Sequence, residues 1–205
     1  MKKSDILAAF IIGEGDALLT LFIVKNIEES IFSLPGHIIY LIKLLPLILP
    51  ILAVLGITAA YLISKKFPVV FQIAKFLGIG SFNTLIDLGV LNILMMIFRI
   101  NAGMVYSIFK GFSFICATTN SYFWNKFWTF KNRETPCRKK EVLKFLIVAS
   151  GGFLINVATA SFVVNIIGPQ FGVNPSLWAN IGGIIAAFAV AALEFCGYKF
   201  LVFKK

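Results

Sequence analysis

Hydrophobic and polar positions along this chain group into long apolar runs separated by short polar connections. Most of the runs are about 20 residues long, which is the length an α-helix needs to cross the hydrocarbon core of a bilayer. The pattern predicts an all-α integral membrane protein with about six membrane segments. The predicted segments are 6–24, 38–63, 76–98, 103–124, 145–167 and 177–195.

The first two segments contain residues that are unusual in a membrane helix. Glu14 and Asp16 lie in the middle of the first segment, so an in-plane or re-entrant course is an alternative to a crossing. A role in proton coupling is one function that such carboxylates can have. Pro46 and Pro50 are expected to kink the second segment, because proline lacks the amide hydrogen that the helix would bond.

The chain contains an internal repeat. KFLGIGSFNTLIDL at 75–88 is followed by KFLIVASGGFLINV at 144–157, and the basic, aromatic tail at 125–131 returns at 198–204. Both copies run in the same direction, which predicts a four-helix bundle of two parallel two-helix repeats, about 75–131 and 144–204. We expect residues 67–205 to form this membrane domain, and residues 1–66 to form an added N-terminal helical hairpin.

Composition and charge support a membrane protein with both termini in the cytoplasm. Hydrophobic residues make up 59% of the chain and charged residues 14%, which is too apolar for a soluble domain. The net charge of +10 is concentrated at the chain ends and in alternate connections, whereas the other connections hold only Lys25, Lys43 and Arg99. This positive-inside pattern predicts a multi-pass protein of the plasma (inner) membrane with N- and C-termini cytoplasmic. It explains the charge better than nucleic-acid binding does, and the basic rim is expected to contact anionic membrane lipids.

Each repeated segment carries a stripe of small and polar residues at helical spacing. In the third segment Gly80, Asn83, Thr84 and Asp87 share one face. Four such stripes predict one polar seam, although close helix packing alone also favours small residues. The other stripes are Lys110, Ser113, Ala117 and Asn120; Ala149, Gly152, Asn156 and Thr159; and Asn180, Gly183, Ala187, Ala191 and Glu194.

Three charged residues within these segments are candidates for function. A charge in the bilayer interior costs at least about 2.5–3.5 kcal/mol, so such residues pair, face water or bind a ligand. Asp87 and Lys110 are expected to pair across the hairpin, with a purely structural ion pair as the alternative. Glu194 lies near the cytoplasmic end, where it can also reach headgroup water. The predicted seam residues for substrate binding are Asn83, Asp87, Lys110, Asn120, Asn156 and Glu194.

The two tails predict a phosphate site at the cytoplasmic rim. Lys126 and Lys199 would supply positive charge and Asn125 an amide, although aromatic and basic residues also anchor helices at the interface. The single histidine, His37, and the three cysteines do not have the spacing of a metal site. Without a nucleophile–base constellation or a phosphate-binding glycine loop, the sequence predicts neither an enzyme nor a cofactor.

At these residues the chain resembles the GtrA-like family of small membrane proteins over roughly residues 70–205. The resemblance rests on two runs and a weaker second copy of the tail. They are Phe76, Gly80, Asn83, Thr84 and Asp87; Asn120-x-Tyr122-x-x-Asn125-Lys126-x-Trp128-Thr129-Phe130; and Tyr198-Lys199-Phe200-x-Val202-Phe203.

The resemblance implies a role in cell-surface polysaccharide synthesis or modification. It suggests a flippase that moves a polyprenyl-phosphate-linked sugar from the cytoplasmic to the outer leaflet, with a membrane glycosyltransferase and a second copy of the chain as candidate partners. Two alternatives remain open at this stage. One is a non-transporting accessory protein that binds a lipid carrier or a glycosyltransferase. The other is a proton-driven exporter of small solutes that uses Asp87, Glu14 or Glu194.

Overall fold

The computed structural model describes residues 1–26, 36–129 and 139–202, and these ranges are mostly helical and contain no β-strand. The predicted all-α class is therefore confirmed. We number the seven helices of these ranges in chain order. They are α1 Lys3–Asn26, α2 Gly36–Lys43, α3 Leu45–Ile63, α4 Val69–Phe98, α5 Gly103–Trp124, α6 Lys139–Ser161 and α7 Pro175–Gly197.

Five helices in the described ranges are long and apolar enough to cross a membrane. These spans are Lys3–Lys25, Leu45–Ile63, Val69–Phe98, Leu143–Ile167 and Pro175–Val202. The predicted multi-pass membrane fold is thus confirmed, with five apolar spans where the sequence predicted about six segments. Helix α5 accounts for the difference. It has 22 residues and is about 33 Å long at 1.5 Å per residue, but Lys110 and several hydroxyl and amide side chains lower its hydropathy.

Two antiparallel hairpins, α4–α5 and α6–α7, form the repeated part of the bundle. The first turns tightly at Arg99, which adopts a left-handed conformation with φ 55°. Hydrogen bonds hold the two turns side by side: Asn165 Oδ1 accepts from the Gly103 amide at 2.7 Å, and Asn101 Nδ2 donates to Ser176 Oγ at 3.2 Å. The two hairpins therefore point the same way, as the parallel repeat requires.

The two tails have the same unusual backbone. Helix α5 continues into a π-helical turn at Asn125–Thr129, and α7 continues into one at Tyr198–Val202. A third π-helical segment, Phe162–Ile167, follows α6 and has no counterpart after α4. A π-turn holds one more residue between bonded groups than an α-turn, is rare, and is frequently found at functional sites. Its presence at matching positions indicates that the sequence repeat is also a structural repeat.

Equivalent aromatic contacts join the two repeats near these tails. Phe76 at the start of the first repeat packs edge-on against Phe195 of the second, with ring centroids 4.9 Å apart. Phe145 at the start of the second repeat packs in a tilted arrangement against Tyr122 of the first, with ring centroids 4.7 Å apart. Reciprocal contacts of this kind are what an approximate twofold axis along the bundle produces.

Helices α1 and α3 pack together on the outside of the first repeat. Their approach is close at Gly13, where an added Cβ would lie 2.7 Å from both Leu49 O and Pro50 Cα. The predicted kink is a helix break at Leu44 just before Pro46, so that this proline lies at the start of α3, where its missing amide hydrogen has no cost. Pro50 remains inside α3.

A buried charge cluster fixes α1 to the first repeat. The Asp5 carboxylate accepts from Lys75 Nζ near the start of α4 and from Trp128 Nε1 in the π-helical turn after α5, the latter at 3.1 Å. Lys75 Nζ also lies over the Phe71 ring, 4.3 Å from its centroid. Asp5 and Lys75 are 2% and 1% exposed, so this contact is shielded from solvent and lipid.

Part of the predicted orientation rests on residues outside the described ranges. The connection between the two repeats, residues 131–141, lies mostly there. So do Lys131, Arg133, Arg138, Lys204 and Lys205, and the side chain of His37.

Candidate functional site

A cavity of about 480 Å³ lies between the two repeats. Residues 76–88 of α4 and 184–194 of α7 form opposite walls, residues 114–125 of α5 form the back, and Asn156 enters from α6. These positions are in the half of the bundle where α4 begins and α5 and α7 end. We call this the basic end, because Lys75, Lys126 and Lys199 lie there. The cavity thus forms where the two repeats meet.

Asp87 forms the polar inner end of the cavity and is neutralised by α5. Its carboxylate accepts from Lys110 Nζ and from Ser113 Oγ, and Lys110 and Ser113 are each 0% exposed. The ion pair expected across the first hairpin is therefore present. A buried pair of this kind holds both charges in place, because moving either one would leave the other unpaired in a low-dielectric interior.

Two buried asparagines line the cavity with unused hydrogen-bonding capacity. Asn125 Nδ2 donates to the Ser121 carbonyl oxygen at 3.0 Å and to Ser121 Oγ at 3.1 Å. Its Oδ1 atom and Asn156 Oδ1 have no partner among the described residues, although Asn125 and Asn156 are 0% and 2% exposed. Buried polar atoms are normally bonded, so these oxygens are suited to a ligand or to water.

Glu194 adds a carboxyl group to the same cavity. Its Oε1 atom accepts from the Tyr198 hydroxyl at 3.4 Å. Gly152 of α6 gives it room, since an added Cβ at that position would lie 3.3 Å from Glu194 Oε1 and 3.1 Å from Val190 Cγ1. Glu194 therefore faces the space between the repeats.

The side opening of the cavity, between α4 and α7, is apolar. Leu77, Ile184 and Phe188 all line the cavity and are 63%, 40% and 78% exposed. In a bilayer such residues contact acyl chains, whereas the inner wall holds carboxyl, amide and hydroxyl groups. The site therefore combines a polar interior with a lipid-facing edge.

The half of the bundle away from the basic end is sealed by packing. A continuous apolar cluster fills it, with Leu91, Tyr106 and Ala179 each 0% exposed. The seal also contains reciprocal amide bonds between the repeats, from Asn92 Nδ2 to Asn180 Oδ1 at 2.6 Å and from Asn180 Nδ2 to Asn92 Oδ1 at 3.2 Å. The cavity thus ends inside the bundle.

The remaining predicted site residues lie around the cavity. Asn83 lines it, and its Oδ1 accepts from Asn120 Nδ2 at 2.7 Å; Asn120 faces a smaller groove on the other side of α5. Lys126 is 1% exposed, with its ammonium 3.4 Å from the Tyr122 hydroxyl. Lys199 is half-buried and lies over the Phe195 and Phe200 rings at 5.4 and 5.3 Å. The structure thus brings Asn83, Asp87, Asn125, Asn156 and Glu194 to one cavity, with Lys110 behind Asp87, but Lys126 and Lys199 do not line it.

Sequence reasoning missed three polar contributors. Ser121 orients Asn125, Asn92 completes the seal, and Asp5 pairs with Lys75. Asn92 could have been found from the sequence, because it is an asparagine in the middle of an apolar segment. The roles of Ser121 and Asp5 depend on contacts that no local pattern shows.

Comparison with known proteins identifies the matched part of the chain. Residues 75–203 match the family model described as GtrA/DPMS, transmembrane domain. The match covers both repeats and leaves α1–α3 outside it. No curated protein and no solved structure matches the chain. The matched domain indicates a membrane protein involved in the handling of lipid-linked sugars.

Proposed function

Because the chain belongs to the GtrA/DPMS transmembrane-domain family, we propose that it is a translocase for a polyprenyl-phosphate-linked sugar. It moves this lipid from the cytoplasmic to the outer leaflet of the plasma membrane, where the sugar is used for cell-surface polysaccharide. The observation that carries the proposal is the cavity between the repeats, which has a polar interior, a lipid-facing edge and a sealed inner end.

The two surfaces of the cavity suit the two parts of such a lipid. Each sugar hydroxyl that enters hydrocarbon without a partner costs several kcal/mol, so a sugar cannot cross the bilayer unaided. The carboxyl, amide and hydroxyl groups of the interior supply partners. The prenyl chain remains in the bilayer along the exposed Leu77 and Phe188 side chains.

We assign the phosphate to the basic end. Lys199 is half-buried beside the cavity, and Lys126 follows Asn125 directly, so a local movement of its side chain would bring a second positive charge to the phosphate. Asn125 is better suited to the sugar than to the phosphate, because Ser121 already takes its amide hydrogens. The seam residues Asn83, Asp87, Asn156 and Glu194 then surround the sugar, and Lys110 and Asn120 hold Asp87 and Asn83 in position.

Transport requires the seal to open. Parallel repeats related by an axis along the membrane normal can rock against each other around a fixed site. In this chain the movement would part Asn92 from Asn180 at the far end, while the aromatic contacts of Phe76 and Phe145, which are already formed, keep the repeats together at the basic end.

The remaining parts of the proposal concern assembly. We propose that residues 1–66 are an extension of the four-helix domain, since α1–α3 precede the matched residues and pack only on one side of the bundle. Both termini are assigned to the cytoplasm from the distribution of lysine and arginine. A second copy of the chain and a membrane glycosyltransferase are candidate partners.

The test is transport by the purified protein in liposomes. The measurement is the rate at which a labelled polyprenyl-phosphate-hexose becomes accessible to a membrane-impermeant sugar oxidant. We expect Asn156→Leu to lower this rate about tenfold, because it removes a hydrogen-bonding group from the cavity. Thr119→Leu, at an exposed position of α5 that does not line the cavity, is the control, and its rate is expected to stay within about twofold. Liposomes that show the same rate with and without protein would refute the translocase.

The sealed inner end also favours a second candidate, a non-transporting protein that binds the lipid carrier or presents it to a glycosyltransferase. This protein would retain the lipid through purification without any acceleration of leaflet exchange. The same liposome measurement, combined with a lipid extract of the purified protein, separates the two functions.

A further inference from the structure

The cavity lining points to the charge of the sugar that it receives. Resting on the proposed function, we propose that the cavity holds the sugar while the phosphate stays outside it, and that it receives uncharged or cationic sugars and excludes anionic ones. The substrate class is thereby narrowed to polyprenyl-phosphate-linked neutral hexoses and amino sugars. Three properties of the lining support this narrower class.

The first property is a set of hydrogen-bond acceptors that receive no donor from the described residues. The Ser121 carbonyl can only accept, so Asn125 turns its amide nitrogen toward it, and its buried Oδ1 is left without a partner among the described residues. Asn156 Oδ1 is similarly without a partner among the described residues. Thr84 already donates its hydroxyl hydrogen to the Gly80 carbonyl at 2.9 Å, which leaves its oxygen as an acceptor. Sugar hydroxyls and amines donate to such groups, whereas a carboxylate cannot.

The second property is the lack of an available positive charge. No lysine or arginine lines the cavity in the described part of the chain, and Lys110, the nearest cation behind it, is bound to Asp87. Glu194 contributes a further carboxyl group. A sugar carboxylate in this space would be buried without a counter-charge, and an unpaired buried charge is strongly unfavourable. An amine would instead find carboxyl partners.

The third property is the position of the phosphate-binding charge outside the cavity. Lys199 lies over the Phe195 and Phe200 rings, next to the cavity but not in its wall. Asn83 differs from Asn125, because its Oδ1 accepts from Asn120 and its amide hydrogens are the groups left for a ligand. Its amide hydrogens suit the ring oxygen or the glycosidic oxygen of a sugar. The phosphate of the headgroup would therefore meet positive charge outside the cavity, and the sugar would meet hydrogen-bonding side chains inside it.

The experiment measures binding of three lipids with one prenyl chain to the detergent-purified full-length protein by native mass spectrometry. The lipids are the bare polyprenyl phosphate, its glucosyl derivative and its glucuronyl derivative. We expect the glucosyl lipid to bind about tenfold more tightly than the bare phosphate, from one or two added hydrogen bonds. The glucuronyl lipid should bind at least about tenfold more weakly than the glucosyl lipid.

Two variants tie this selectivity to named groups. Glu194→Gln should reduce the preference for glucosyl over glucuronyl lipid to about threefold or less, since it removes a carboxyl group from the cavity. Asn156→Ala should weaken binding of the glucosyl lipid about fivefold and leave the affinity for the bare polyprenyl phosphate unchanged. The control, Thr119→Ala at an exposed position of α5 outside the cavity, should alter none of the three affinities. The comparison of the three lipids on the unaltered protein is decisive even if a variant does not fold.

The outcomes separate this inference from the proposed function. Equal binding of glucosyl and glucuronyl lipids, together with transport of both, would overturn the charge selectivity and leave the translocase intact. Failure of all three lipids to bind would overturn the proposed function and the selectivity with it.

Discussion

The two repeats share a backbone plan but differ in the chemistry they bring to the cavity. Alignment of the two sequence copies matches Asp87 with Asn156, and alignment of the two tails matches Lys110 with Gly183. The first repeat therefore supplies a closed ion pair, whereas the second supplies an amide whose oxygen has no partner among the described residues. One half of the site is electrostatically fixed and the other half is available to a ligand.

The outer faces of the two repeats differ in how far they are buried. Lys75 is buried by α1 and paired with Asp5, but its counterpart Lys144 is exposed. Trp128 is 8% exposed, while Leu201, which matches it in the second tail, is 55% exposed. Helices α1 and α3 thus cover only the first repeat. The two repeats thus share a backbone plan and differ in the charges and the covering helices around them.

The largest expected effect comes from breaking the ion pair of the first repeat. Lys110→Met would leave the Asp87 carboxylate buried without its counter-charge, which should lower the free energy of unfolding by about 3–5 kcal/mol. Asn156→Leu in the second repeat should lower it by less than about 1 kcal/mol, because it orphans no charge. Thermal unfolding of the detergent-purified variants measures both. Equal destabilisation by the two changes would contradict the view that the first repeat holds a structural ion pair and the second repeat supplies a side chain for a ligand.

A smaller effect is expected at the outer face. Asp5→Asn should destabilise the protein by about 2–3 kcal/mol, since the buried Lys75 would lose this counter-charge while it keeps neutral partners such as the Trp128 carbonyl and the Phe71 ring. Lys144→Met, at the matching position of the second repeat, should change stability by less than about 0.5 kcal/mol. The same unfolding measurement applies. A large loss of stability in Lys144→Met would show that the contact with α1 is not the reason why the two lysines differ in their contribution to stability.

The smallest effect concerns the seal that joins the repeats. A double-mutant cycle with Asn92→Leu and Asn180→Leu should give a coupling of about 0.6 kcal/mol and at most about 1.7 kcal/mol, as for other hydrogen bonds between membrane helices. Helix unfolding followed by circular dichroism provides the four free energies. If the free-energy changes of the two single variants add up to that of the double variant, the two amides do not hold the repeats together.

The sequence was sufficient for the helices and for contacts within one hairpin. The turn at Arg99 and the pairing of Asp87 with Lys110 follow from helical spacing and from the short connection between two antiparallel helices. The polar seam was also predictable, because its residues recur on one face of each helix. These features depend on residues near one another in the chain.

Contacts between distant elements were not predictable from one sequence. Asn92 and Asn180 are 88 residues apart, and Asp5 and Lys75 are 70 apart, so their pairing depends on how whole helices pack. The burial of Lys126 has a similar cause. Its side-chain direction is set by the π-helical turn that begins at Asn125, and composition does not reveal a change of helix type at that point.

Gly183 has a consequence for how such a molecule can arise. An added Cβ at this position would lie 2.6 Å from Leu88 Cδ2, which is too close, and 3.8 Å from Lys110 Nζ, which is ordinary contact, so the bare backbone of the second repeat leaves room for Leu88 and lies beside the lysine of the first. In an assembly of two identical subunits, every change occurs twice, and two lysines would meet at the symmetry axis. Gene fusion removes that restriction, because each half can then mutate alone. The single ammonium group beside the axis is therefore a feature that a covalently joined pair of repeats can acquire and a strictly symmetric dimer cannot.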